Sequence, residues 1–142
     1  DSRSKIYPDT EETMAWNIGG TGFHIVLTSS VSDIVAQNIG GEVREFLADH
    51  GISTSNISQW VSHTGGPKVL RAIEESLELN DGQLEISWLS LAEYGNLSSA
   101  SVLHILRDIL AGHGVEKPIP GTFGLMLAMG PGFCSEFVLL EW

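Results

Sequence analysis

The stretch Trp60-Val-Ser-His-Thr-Gly-Gly-Pro67 decides how this chain is read. Gln59-Trp-Val-Ser-His63 reads as a short buried strand, and Thr64-Gly65-Gly66 is a tight turn. Pro67 then takes the first position of a helix, where its missing N–H costs nothing. Val69, Leu70, Ile73 and Leu77 recur at helical spacing, while Arg71, Glu74, Glu75 and Glu78 fall on the opposite face. His63 therefore stands at the carboxyl end of a buried strand, just before a helix start. Open α/β sheets place their ligands at such points.

Upstream, Met14, Trp16 and Ile18 alternate with polar residues, Gly19-Gly20 follows, and residues 23–28 continue the alternation as a β-hairpin. Val31, Ile34, Val35, Ile39, Val43, Phe46 and Leu47 then predict a helix over 31–50, opened by Ser30 or Ser32 and closed by Gly51. Gly40-Gly41 in its middle implies a kink or a close approach, because each glycine costs a helix roughly 1 kcal/mol. Downstream, residues 84–91 fit either regular element. Ser98 opens a helix with Val102, Leu103, Leu106, Ile109 and Leu110 as its stripe, ended by Gly112 and Gly114. Strands at 122–129 and 133–141 flank a Gly130-Pro131-Gly132 turn. The expected order, β-β-α-β-α-(α)-α-β-β, is an α/β fold with a mixed sheet covered by helices. Residues 1–11 are polar and are expected to be a linker or frayed arm, with one domain over 12–142.

Composition narrows the function. The 142 residues suit one compact domain, and 7 Lys+Arg against 18 Asp+Glu give a net charge of −11. Such a surface argues against nucleic acid, whose phosphates need clustered cations, and against an anionic membrane face. No apolar run reaches the roughly 18 residues of a membrane span. The single cysteine, Cys134, allows no internal disulfide and no cysteine-rich zinc site, and is read as a small buried hydrophobe. The polar Asp1-Ser-Arg-Ser-Lys5 start has no apolar core behind it, so no secretory signal is expected and the setting is taken as cytoplasmic. A start without Met and an end inside an apolar strand pattern read as a piece cut from a longer protein.

Two Gly-rich segments trap polar residues between buried elements: the His63 turn and Glu93-Tyr-Gly-Asn96-Leu-Ser-Ser99. Taken singly, each has an ordinary explanation. A lone histidine is more often a hydrogen-bonded structural group than a catalyst, and Asn96 before a helix is a good cap. No phosphate-cradling glycine motif is present. Taken together, Trp60-Val-Ser-His-Thr-Gly-Gly-Pro67, Tyr94-Gly-Asn-Leu-Ser-Ser-Ala100, the closing Gly130-Pro-Gly132 turn and Gly22-Phe-His24 in the hairpin resemble the C-terminal half of the chalcone and stilbene synthases. These are the type III polyketide synthases, and the resemblance covers nearly the whole chain.

The resemblance implies half of a thiolase fold and a Cys-His-Asn catalytic triad. His63 matches the catalytic histidine and Asn96 the catalytic asparagine. Phe23 matches an aromatic gatekeeper, while Met14, Ser98, Met129, Gly130, Pro131 and Gly132 fall at cavity positions. Gly65, Gly66 and Lys68 fall where the family contacts CoA. The expected substrates are acyl-CoA and malonyl-CoA, with no metal or cofactor, and the full-length protein is expected to be a homodimer. The nucleophilic cysteine belongs to an N-terminal half that this stretch does not include, so the stretch alone is expected to be inactive. A further departure is Ala128-Met-Gly-Pro-Gly132, where the family usually has Gly-Phe-Gly-Pro-Gly.

The implied chemistry suits these residue types. A thiolate takes the acyl group from CoA, malonyl-CoA loses CO₂, and the resulting enolate attacks the bound acyl group. Histidine and asparagine N–H groups would form the oxyanion hole that holds the enolate. Two other readings remain at this point. A β-ketoacyl-carrier-protein synthase III shares the fold and a Gly-Asn-x-Ser loop, but its histidine normally precedes Gln-Ala-Asn. The other is a non-catalytic homologue kept for dimerisation or acyl binding. A fatty-acyl starter giving alkylpyrones or alkylresorcinols is the expected specificity.

Overall fold

A computed structural model describes all 142 residues, Asp1–Trp142. Its main sheet has the order β1-β6-β5-β4, formed by Ser2–Ile6 (β1), Cys134–Glu141 (β6), Phe123–Gly130 (β5) and Ile57–Ser62 (β4). β4 and β5 are parallel, with Trp60 opposite Leu125, and the other two pairings are antiparallel. Met14–Gly19 (β2) and Gly22–Leu27 (β3) form a separate two-stranded sheet. The helices are Val31–Ala48 (α1), Pro67–Leu77 (α2), Glu85–Tyr94 (α3) and Ala100–Ala111 (α4). Residues 84–91, which fitted either element in sequence, thus belong largely to α3.

The sheet is covered on both faces. Trp60, Leu125, Leu127 and Phe137 share a core with Val35, Ile39 and Phe46 of α1 and with Leu70 and Ile73 of α2. On the other face Val61 packs with Ile86 of α3 and Val102, Ile105 and Ile109 of α4. Adjacent Trp60 and Val61 thus serve opposite cores, so β4 is buried on both faces. Gly40 answers the question its sequence posed: a Cβ there would lie 2.0 Å from the Ser76 carbonyl oxygen, so it lets α1 approach α2. Gly41 meets nothing, and α1 continues through both glycines.

The amino terminus departs from expectation. Residues 1–11 are not a frayed arm throughout, because β1 pairs with β6 from Ser2↔Val138 to Ile6↔Cys134. Its polar residues disguise an edge strand, where charged side chains are favoured. Lys5 pairs with Glu42 of α1 at 2.9 Å, Arg3 pairs with Asp49, and the Arg3 guanidinium sits 5.1 Å from the Phe46 ring centre. Tyr7 is buried beyond the strand, its hydroxyl 3.1 Å from Ser135 Oγ.

Candidate active site

A cavity of about 640 Å³ opens at the carboxyl ends of the parallel strands β4 and β5. Four parts of the chain line it: the β4–α2 turn, the loop before α4, the β5–β6 turn, and the hairpin with the start of α1. His63 is the first residue past β4 but is still held by the ladder, donating its N–H to the Leu127 carbonyl at 2.9 Å. Its carbonyl accepts from the Gly65 N–H at 3.0 Å, which folds the turn back. Gly66 then caps α2 at φ +125°, a conformation that glycine tolerates far better than other residues, and Pro67 opens the helix as expected. Burial pushes the His63 pKa below the usual 6.5.

Asn96 is held differently from the cap its sequence suggested. Its Oδ1 accepts the Ser98 N–H at 2.8 Å, and α4 begins only at Ala100 with Ser99 as its N-cap residue. Ser98 therefore does not open the helix; it sits at φ +56°, a left-handed conformation that a side chain adopts at a cost. This turn engages the amide oxygen of Asn96 and leaves Nδ2 as the end free to donate. Buried Thr64 donates its hydroxyl to the Gly95 carbonyl at 3.4 Å, a long bond that links the histidine turn to the asparagine loop. Leu97 N–H donates to Ser101 Oγ at 3.0 Å, securing the loop to α4.

The third wall is Ala128-Met129-Gly130-Pro131. Gly132 at φ +100° turns the chain and donates its N–H to the Met14 carbonyl at 2.8 Å, tying this wall to the hairpin. Cys134 is half-buried rather than buried; its Sγ lies 3.8 Å from the Pro131 carbonyl.

Of the residues singled out in sequence, the cavity gathers Met14, His63, Gly65, Lys68, Asn96, Ser98, Met129, Gly130 and Pro131. Gly66, Gly132 and Phe23 are not on its wall. Phe23 lies near the hairpin tip, 70% exposed, so it is not a core residue. Sequence reasoning missed Trp16, Ile25 and Leu27, which line the cavity from the hairpin, Thr28 and Ser29 in the loop after it, and Ser32 in the first turn of α1. The three apolar residues carried a signal, since strand alternation puts them on the face of Met14.

Comparison with known proteins matches the same loops and strands in one stroke. Residues 2–141 match the family model of chalcone and stilbene synthases, C-terminal domain. The chain is 52% identical over 141 residues to a 1,3,6,8-tetrahydroxynaphthalene synthase of Streptomyces peucetius, covering 99% of this chain and 37% of that enzyme. It superposes on the crystal structure of the 1,3,6,8-tetrahydroxynaphthalene synthase of Streptomyces coelicolor, a bacterial type III polyketide synthase. The TM-score is 0.90 at 32% identity, over 100% of this chain and 40% of that one. PKS-I of the brown alga Ectocarpus siliculosus gives a TM-score of 0.90 at 27% identity, over 99% and 38% of the two chains.

Proposed function

The chain belongs to the chalcone and stilbene synthase family as its C-terminal domain, and from this we propose that the whole protein is a decarboxylative condensing enzyme in which His63 and Asn96 are catalytic. The carrying observation is that both residues, from separate loops, line one cavity at the sheet's carboxyl edge. A nucleophilic cysteine from the preceding part of the protein takes the acyl group from CoA. Malonyl-CoA then loses CO₂, and its thioester oxygen gathers negative charge as the enolate forms. A neutral, buried imidazole donates one N–H to that oxygen, and the free Asn96 Nδ2 donates the second hydrogen bond. Neither N–H is acidic enough to protonate the enolate carbon before that carbon attacks the bound acyl group. During loading, the thiolate beside His63 would offset the burial that keeps the ring neutral, since an opposite charge favours imidazolium.

Lys68 and Gly65 lie on the cavity wall where the CoA pantetheine and phosphates would enter. With a net charge of −11, this domain leaves most of the phosphate recognition to the rest of the protein. No metal or cofactor is invoked. The chain alone, lacking the nucleophile, is expected to perform neither acyl transfer nor condensation, and the whole protein is expected to act as a homodimer.

The relatives bear on the product. A naphthalene with hydroxyls at alternate positions is what joining two-carbon units head to tail would give, without an alkyl tail. The 52% identity to an enzyme of that name therefore favours a small hydroxylated aromatic over the alkylpyrone or alkylresorcinol expected from sequence. The test uses the full-length protein with labelled malonyl-CoA, alone and with a panel of acyl-CoAs. His63→Ala should abolish decarboxylation and slow acyl loading. Asn96→Ala should cut decarboxylation by about 10²–10³ while loading stays measurable. Equal loss of loading in both variants would contradict this division of roles, and no condensation by the wild type would favour a non-catalytic homologue.

A further inference from the structure

His63 and Asn96 reach the cavity on two loops that are anchored separately. The histidine turn hangs on β5, through the His63 N–H and the Leu127 carbonyl at 2.9 Å. The asparagine loop hangs on the helices at its ends. Gly95 N–H donates to the Leu91 carbonyl of α3 at 3.0 Å, and Leu97 N–H donates to Ser101 Oγ of α4 at 3.0 Å. These anchors do not tie one loop to the other. The Thr64 hydroxyl does, by donating to the Gly95 carbonyl at 3.4 Å. Both ends of that bond adjoin a site residue: Thr64 directly follows His63, and the Gly95 carbonyl belongs to the peptide that leads into Asn96. Gly95 is at φ +74°, where glycine moves with little steric penalty, so that peptide takes its orientation from whatever holds its carbonyl. Thr64 is wholly buried within this chain, and its contact does not depend on what the rest of the protein covers. A buried hydroxyl requires a partner. At 3.4 Å the bond is slack, and bonds of this kind around a site tighten when the reacting complex forms.

We propose that Thr64 is a positioning residue whose hydroxyl sets Asn96 against His63, so that their two N–H donors converge on one enolate oxygen. This rests on the condensing-enzyme reading above and adds a determinant of the same site. Thr64 is not on the cavity wall and acts only through the Gly95–Asn96 peptide. An oxyanion hole works when its donors lie about 2.7–3.1 Å from the place where charge develops. Without the Thr64 hydroxyl, the asparagine loop loses its tie to the histidine turn and that convergence is no longer enforced. His63 keeps its own tie to β5. Acyl loading draws on His63, whereas decarboxylation draws on both residues. Thr64 therefore serves the second step and not the first.

The experiment uses the full-length protein and measures two rates: CO₂ release from labelled malonyl-CoA, and covalent acyl loading followed by mass spectrometry. Thr64→Val removes the hydroxyl and keeps the shape. It should slow decarboxylation by about threefold to tenfold, the scale of one neutral hydrogen bond, with loading unchanged. Thr64→Ser restores the hydroxyl and should restore the decarboxylation rate. In an Asn96→Ala background, Thr64→Val should have no further effect, because a residue that acts through Asn96 has nothing left to position. Thr64→Ala takes the place of Thr64→Val if the valine variant does not fold. A folded variant without the hydroxyl that decarboxylates at the wild-type rate overturns the proposal. So does an equal fall in loading and decarboxylation, which would mark general damage to the fold, and so does a full additional loss in the Asn96→Ala background. If Asn96→Ala itself spares decarboxylation, the catalytic reading of Asn96 fails and this proposal with it. If Asn96→Ala cripples decarboxylation and loss of the Thr64 hydroxyl does not, only this proposal fails.

Discussion

Trp60 and Trp16 stand on strands of the same chain and met opposite fates. Trp60 is almost wholly buried between β4 and the α1–α2 layer, in a sheet whose two faces are both covered. Trp16 is on a hairpin that pairs only with itself and whose apolar face meets a cavity. The difference shows that strand periodicity assigns a side chain to a face but says nothing about what covers that face. A body sealed on both sides supplies stability, while the open hairpin supplies a shaped apolar wall at little energetic gain.

The comparison breaks most easily at its strongest point. Trp60→Ala should cost about 3–5 kcal/mol by urea denaturation, from lost transfer energy plus the cavity left between the strand and its helices. Trp16→Ala, removing an indole already half in water, should cost much less. Similar losses at the two positions would mean that the hairpin is as much a part of the core as β4.

A smaller effect sharpens the contrast at the cavity floor. His63 has a folded-state pKa below 6.5 because burial disfavours its charged form. The unfolded chain therefore binds the extra proton more readily than the folded one. The stabilisation linked to this shift is fully present above pH 6.5 and is lost as the pH falls from there through the depressed folded value. Denaturation midpoints of the chain should decline over that window, and His63→Gln should flatten the decline. An unchanged slope in the variant would place the acid sensitivity elsewhere.

Much of the body was readable in the sequence because its signals are local. Pro67 after Gly66 marked a helix start, Gly112 its counterpart at the end of α4, and the apolar stripes of α1, α2 and α4 marked their buried faces. The errors have physical causes. β1 reads as an arm in sequence because this edge strand carries Arg3 and Lys5, whose partners Asp49 and Glu42 are remote in sequence. Asn96 suggested a helix cap, yet its oxygen closes a turn onto Ser98, since that backbone N–H is the nearer donor. Residues 84–91 give no clear stripe because the buried face of α3 carries Ser87 and Ser90 beside Ile86, while Leu89 is exposed. The meeting of His63 with Asn96 could be inferred only from resemblance, since no local pattern brings two loops together.

Phe23 offers the finest discrimination and the smallest expected change. From sequence, a phenylalanine whose strand neighbours Ile25 and Leu27 share its face fits a core position as well as a rim. At 70% exposure it has little burial to lose, and its ring contacts that of Trp16 edge to face. An aromatic pair of this kind is worth about 0.5–1.5 kcal/mol when both rings are held, and less when both lie in solvent. Phe23→Ala should therefore cost no more than about 1 kcal/mol. Phe137, fully buried against the stacked ring of Phe46, provides the internal control. Phe137→Ala should lose about 3–5 kcal/mol under the same conditions. Equal losses from the two phenylalanines would mean that the hairpin tip packs against something in solution, and the division between sealed body and open wall would have to be redrawn.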